Sequence, residues 1–263
     1  IKPGFALIGE VLFGDYNLIV NDEMLHSCTN YECYKGIYSS FNSMNMFEIA
    51  HSLNRQFGPE QWCIYRGKHL MTFVDNHDVS RLATILTNKE HLPLAYGLLF
   101  GMPGIPCIYY GSEWGEEGAK APDNDYALRP CFEEPKPNGL TAFIKALISL
   151  RRESDALCNG SYRNVVLTNH QLVFERKTEG ERVLVAINAS DSEYTAGNHE
   201  LNGTFARVLT YPGEFKALEA FGSEGSADAE TSRKADANAA ADTITLNGQI
   251  TLPPYSVQFL KQI

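Results

Sequence analysis

Hydrophobic positions follow two different patterns along the chain. Up to Asp155, short apolar runs alternate with segments of helical period. Phe5, Ala6, Leu7, Ile8, Val11, Leu12 and Phe13 form a run that suits a strand covered on both faces, as in a parallel sheet. Similar runs at 24–29, 69–75 and 104–110 predict three more strands. Between them, 43–57 places Met46, Phe47, Ile49, Ala50, Leu53 and Phe57 on one side of a helix, with Ser43 as its N-cap and Gly58-Pro59 as its stop. Residues 92–102 are apolar nearly all round, as in a helix packed beneath other elements, and 138–154 is amphipathic with a basic last turn. Strands alternating with helices imply parallel βα units.

After Asp155 the period drops to two. SYRNVVLT, QLVFERK, RVLVAIN, TFARVLT, TITLNGQITL and SVQFLKQI are short alternating stretches separated by turn residues, which predicts an antiparallel β domain over 156–263 behind an α/β unit over 1–155. Within the second unit, 221–242 is poor in large apolar residues and rich in Ala, Ser, Asp and Glu, so a surface excursion is expected there.

Composition narrows the partners. A chain of 263 residues with 44% hydrophobic content can bury a substantial core, and a net charge of -10 without clustered Lys or Arg argues against nucleic acid. The longest mostly apolar passage, 92–110, is interrupted by Pro93, Gly97, Gly101, Pro103, Gly104 and Pro106, so no membrane span is predicted. The opening residues IKPGF carry no signal-peptide pattern. Six irregularly spaced cysteines read as mostly buried reduced thiols, and Cys28 and Cys33 lack the spacing of a zinc site, so neither a disulfide framework nor a metal is expected.

Candidate chemistry gathers where apolar runs end. Glu10 sits inside the first run where its strand should end, and a carboxylate buried there without partners would cost several kcal/mol, so it must reach a polar cleft or a partner. The third run, LMTFVDNHDVSRL, ends in Asp75, Asn76, His77 and Asp78. In parallel βα folds this end of the strands carries the active site. Taken singly, Asp78 also fits an N-cap and His77 a satisfied loop histidine. Two carboxylates beside an uncharged histidine suit acetal hydrolysis, one protonating the leaving oxygen and the other stabilising an oxocarbenium-like transition state. The fourth run adds Tyr109, Tyr110 and Trp114, which fit a platform for sugar rings and fit core packing equally.

ALIGEV, FVDNHD, GIPCIYYGSEWG and SLRRES together resemble the α-amylase family of glycoside hydrolases, with the flavour of its intracellular maltodextrin-degrading members, the neopullulanases and cyclomaltodextrinases, partly through NDYALRPCF. The resemblance implies strands five to eight of a (β/α)8 barrel followed by a β-sandwich. By matching position it implies Glu10 as general acid/base, Asp78 as the carboxylate that orients the sugar and stabilises the transition state, and His77, Asn76, Tyr110 and Arg129 as substrate-binding residues. It implies no cofactor, an α-glucan oligosaccharide as substrate and a cytoplasmic setting. The family's nucleophile, an aspartate on its fourth strand within an arginine-containing motif, has no counterpart here. The chain is therefore expected to be the C-terminal half of a larger enzyme and inactive alone. Its exposed barrel wall, including Leu70, Phe73 and Ile105, is expected to be covered by the N-terminal half or by a second copy. A non-catalytic glucan-binding module or scaffold is the alternative.

Overall fold

The computed structural model describes residues 4–213, 215 and 242–263. The excursion expected at 221–242 lies, except for Asp242, outside the described residues.

The first unit runs β1 (Ile8–Gly9), β2 (Ser27–Cys28), α1 (Tyr31–Asn42), α2 (Phe47–Phe57), β3 (Met71–Phe73), α3 (Leu82–Ile85), α4 (His91–Gly101), β4 (Ile105–Cys107), α5 (Gly139–Glu153) and α6 (Asp155–Asn159). All four predicted strands form, each trimmed to two or three residues. Pairing is parallel and sequential: Ile8 opposite Ser27, Thr29 bridged to Met71, and Met71 opposite Ile105. That order puts the C-terminal ends of the strands on one edge, as in one arc of a barrel wall.

Sequence reasoning missed α1. Its side chains are rich in Tyr and Ser with a Gly, residues of modest or poor helix propensity, yet Cys33, Ile37 and Phe41 recur on one buried face and the Asn30 side chain caps the Cys33 N–H at 3.1 Å. Ser43 consequently closes this helix instead of opening the next. Its N–H donates to the Ser39 carbonyl, and Met46 precedes α2 without a side-chain cap.

The second unit comprises β5 (Ser161–Leu167), β6 (Gln171–Lys177), β7 (Arg182–Asn188), β8 (Tyr194–Tyr211), β9 (Thr243–Leu252) and β10 (Ser256–Gln262). All six expected strands are present, but among the described residues they pair into one antiparallel sheet in the order β5-β6-β7-β10-β8-β9, where a sandwich predicts two. β8 extends back through the polar stretch at 194–203, which reads as turn in sequence but pairs with β9 across a register shift between Gly197 and Asn202.

Period-two alternation gives the sheet two apolar faces. Leu172, Phe174, Val185, Ile187, Val257 and Phe259 join the core of the first unit. Val173, Leu184 and Ala186 turn the other way and pack with Phe205, Leu246 and Ile250 of β8 and β9. Helix α4 lies against the first face at close range: a Cβ at Gly97 would meet the Val257 side chain at 2.8 Å, and one at Gly101 would meet Phe174 and Val185 at 3.0 Å. Buried Arg176 of β6 stitches the seam by donating to the Gly101 carbonyl at 2.9 Å, and buried Arg151 of α5 donates to the Met102 carbonyl at 3.0 Å, tying α5 to the end of α4.

Two further expectations change. Leu70 and Phe73 are buried, Leu70 in the main core and Phe73 beneath Tyr31 and Tyr34 of α1, whose ring centroids are 5.0 and 5.3 Å away, while Ile105 is exposed as expected. All six cysteines are free, but only Cys28 and Cys33 are buried.

Candidate active site

Each candidate residue except Arg129, which lies in the long loop after β4, sits just past the C-terminal end of a parallel strand. Glu10 follows β1, Tyr31 follows β2, Asn76, His77 and Asp78 follow β3, and Tyr109 and Tyr110 follow β4. Strand order therefore brings together residues up to a hundred positions apart.

A hydrogen-bonded chain links the Glu10 carboxylate to the backbone of Asp78. The Tyr31 hydroxyl donates to Glu10 Oε1 at 3.1 Å and accepts from Asn76 Nδ2 at 3.0 Å. Asn76 Oδ1 in turn accepts from the backbone N–H of Asp78 at 2.8 Å and of Val79 at 3.2 Å, a local Asx turn that aims Asp78. Burial, with the neighbouring Glu10 carboxylate, raises the Tyr31 hydroxyl above its ordinary pKa against the opposing hydrogen bond from Asn76, so it remains a donor at neutral pH. Tyr31 was not singled out from sequence. The available signal was its position one residue after the N-cap Asn30, where the second strand hands over to a helix.

Asp78 is engaged on both oxygens: His77 Nε2 lies 3.2 Å from Oδ2 and the Arg129 guanidinium 3.2 Å from Oδ1. Arg129 also reaches Asp125 at 3.5 Å. The loop residue with the weakest sequence warrant thus touches the candidate carboxylate directly. His77 faces Tyr109, with centroids 6.3 Å apart, and Tyr109 packs edge-on against Tyr110 at 4.7 Å. Tyr110 keeps one exposed side, while its hydroxyl donates to the Pro130 carbonyl at 2.9 Å.

Beneath these groups lies a buried polar layer. Asp75 is first in the polar cluster after β3 but does not join the surface site. It accepts from the Leu82 N–H at 2.8 Å and the Ser112 hydroxyl at 2.7 Å, and burial raises its carboxyl above the ordinary value. Arg81, fully buried, donates to the carbonyls of Tyr110 at 2.7 Å and Leu128 at 2.9 Å and to Ser112 Oγ at 3.0 Å, with its guanidinium 4.2 Å from the Tyr109 ring centroid. Arg81 thereby fixes both the aromatic pair and the segment that delivers Arg129.

The site is open. Glu10 and His77 are exposed, and two cavities, of about 570 and 450 Å³, are lined by other residues. Around β1, Phe5, Ile8, Leu12 and Phe13 are all more than 45% exposed, an apolar edge of a kind soluble proteins usually cover.

Residues 7–136 match the family model of the alpha amylase catalytic domain. A cyclomaltodextrinase from Thermoanaerobacter pseudethanolicus is 28% identical over 215 residues, covering 77% of this chain and 35% of its own length. An intracellular maltogenic amylase from Bacillus subtilis is 27% identical over 194 residues, covering 70% of this chain and 32% of its own. The chain thus spans about a third of these curated relatives. The solved structure of an Anoxybacillus α-amylase superposes with a TM-score of 0.73 at 21% identity, covering 99% of this chain and 53% of that one, which establishes a shared fold. Residues 7–136, which hold the four parallel strands and every candidate residue above, belong to the α-amylase family of glycoside hydrolases.

Proposed function

We propose that this chain supplies the acid/base side of a retaining hydrolase of α-glucosidic bonds in malto-oligosaccharides and related starch-type glucans. The observation that carries it is the relay Glu10–Tyr31–Asn76–Asp78, which holds two carboxylates along the functional edge of one parallel strand set. Glu10 protonates the departing glycosidic oxygen as a nucleophilic carboxylate attacks the anomeric carbon. It then deprotonates the water that releases the sugar. Asp78 binds ring hydroxyls and stabilises positive charge at the anomeric carbon, His77, Asn76 and Arg129 complete the hydroxyl contacts, and the Tyr109–Tyr110 pair offers an aromatic face. No cofactor enters this scheme.

The nucleophile comes from polypeptide outside this chain. Further barrel strands docking on β1 would cover Phe5, Ile8 and Leu12 and carry that carboxylate to the site, whether from the same polypeptide, a separate one or a second copy. The chain then comprises the closing half of a (β/α)8 barrel over 1–155 and a C-terminal β domain over 156–263. Six unpaired cysteines suit a reducing, cytoplasmic compartment.

The engagement of both Asp78 oxygens favours a second reading, a glucan-binding module without chemistry. Combining the chain with the polypeptide that completes its barrel separates the two. Hydrolysis of maltotriose with retention of anomeric configuration, absent from the chain alone, is expected. Binding without turnover in the completed barrel would replace the hydrolase with the module.

A further inference from the structure

The cavity of about 570 Å³ lies away from the strand ends, at the seam between the helical layer and the β sheet, and its volume falls within the roughly 300–1,000 Å³ of small-molecule sites. One wall comes from the α1–α2 turn and the approach to α4, the other from the β5–β6 turn, the loop after β7 and Tyr255.

The walls are rigidly built. Asn188, fully buried, donates from Nδ2 to the carbonyls of Ser192 at 2.8 Å and Pro253 at 2.9 Å, while its Oδ1 accepts from Gln171 at 2.8 Å and from Ser190. Across the seam, the Met46 N–H donates to the Asn169 carbonyl at 2.8 Å. Among the described residues two that are not glycine have positive φ, Met44 at 51° and Tyr255 at 43°, and both line this cavity. Such backbone strain persists only where the surrounding structure enforces it, and it clusters at functional sites.

An unpaired group completes the picture. His91, 1% exposed, has Nε2 2.9 Å from the Ala189 carbonyl, so Nε2 carries the proton and Nδ1 is an acceptor with no partner. Burial lowers the ring's pKa and keeps it neutral. A buried acceptor left unpaired is costly unless something donates to it.

The lining also selects a ligand class. It contains no lysine or arginine, which argues against an anion, and among the described residues no group of His, Cys, Asp and Glu is arranged to hold a metal. What remains are amides (Asn88, Gln171), hydroxyls (Ser190, Ser192), two carboxylates (Asp191, Glu193) and the rings of Tyr194 and Tyr255. Carboxylates and amides receive hydroxyl donors, and aromatic faces pack on the C–H faces of a sugar ring. We propose that this seam cavity is a second carbohydrate site, taking a hexose unit of a neutral oligosaccharide and lined by none of the residues at the ends of β1–β4. The choice of an α-glucan as first probe rests on the function proposed above.

The test follows backbone amide shifts of the whole chain titrated with maltotriose and, separately, with cellotriose. Saturable shifts at Asn88, Gln171, Ser192 and Tyr194 are expected, unchanged in Asp78→Ala. Binding should weaken about tenfold in Tyr194→Ala and in Glu193→Gln, the loss of one ring contact or one hydrogen bond to a charged acceptor. Both substitutions are at exposed positions, so the fold should survive either. Seam shifts with cellotriose alone would uphold the second site and contradict the α-glucan reading. Shifts confined to Tyr31, Asn76 and Asp78 and lost in Asp78→Ala would overturn the second site and leave the proposed function standing. No shift at the seam with either trisaccharide would also overturn it.

Discussion

Replacing Arg81 by Met should be among the most damaging single changes in the first unit, although Arg81 touches no solvent. The substitution keeps length and apolar stem but removes donors to the Tyr110 and Leu128 carbonyls and to Ser112 Oγ. Ser112 donates onward to Asp75, so the guanidinium also offsets a buried carboxylate one hydroxyl away. Hydrogen bonds to charged groups contribute about 1.5–3 kcal/mol each, and stripping the partner from a buried charge costs about 3–5 kcal/mol. Because these losses share one network they overlap, and about 4 kcal/mol is the expected total. Urea unfolding followed by tryptophan fluorescence reads it well, since Trp114 closes the short 3-10 turn that begins with Ser112. The pH dependence has a definite sign. Burial already holds Asp75 above its ordinary 3.8, so its ionisation costs stability as pH rises through the folded-state value. Losing Arg81 enlarges that cost, making the penalty greater at pH 7 than near pH 4, where Asp75 is more nearly neutral. A loss below about 1 kcal/mol with unchanged m, or a penalty larger in acid, would refute the account of this layer.

Tyr31→Phe deletes the hydroxyl between Glu10 and Asn76 while keeping the ring against Phe73. Stability should fall by about 1 kcal/mol, and in the completed barrel kcat should drop more than KM rises; a pure KM effect would remove Tyr31 as the residue that positions Glu10. Glu175 is penalised by burial, yet Arg182 and Arg163 more than offset this and hold it below its ordinary 4.5. Its contribution is therefore complete above pH 4.5 and lost as pH falls through the lower folded value, so acid unfolding should be shallower in Glu175→Gln; an equally steep acid limb would contradict this pairing.

Much of the candidate edge was legible because strands announce their ends. An apolar run interrupted by Glu10, and another that stops at Asp75-Asn76-His77-Asp78, locate carboxylates without any long-range information. Nothing in that pattern distinguishes Asp75 from Asp78, since only the fold shows that one turns inward to Ser112 and the other outward to Arg129. Tyr31 was hidden because it belongs to a helix whose Tyr- and Ser-rich sequence has little intrinsic helix preference, and the same omission misassigned Ser43. Leu70 and Phe73 were expected on an open wall because strand alternation says which residues share a face but not what covers it; α1 covers Phe73, and Leu70 joins the main core. The seam cavity left no sequence signal, being assembled from turns of two units whose residues are individually ordinary polar loop positions.

The central claim, that Glu10 is the acid/base of this site, is tested most directly by the leaving-group dependence of Glu10→Gln in the completed barrel. A poor leaving group needs protonation in the transition state, whereas dinitrophenolate departs without it. The substitution should lower kcat/KM for maltotriose by roughly 10²–10⁴-fold, the usual worth of general acid catalysis, and lower glycosylation by 2,4-dinitrophenyl α-maltoside far less. Equal losses on both substrates, or no loss on maltotriose, would contradict the assignment.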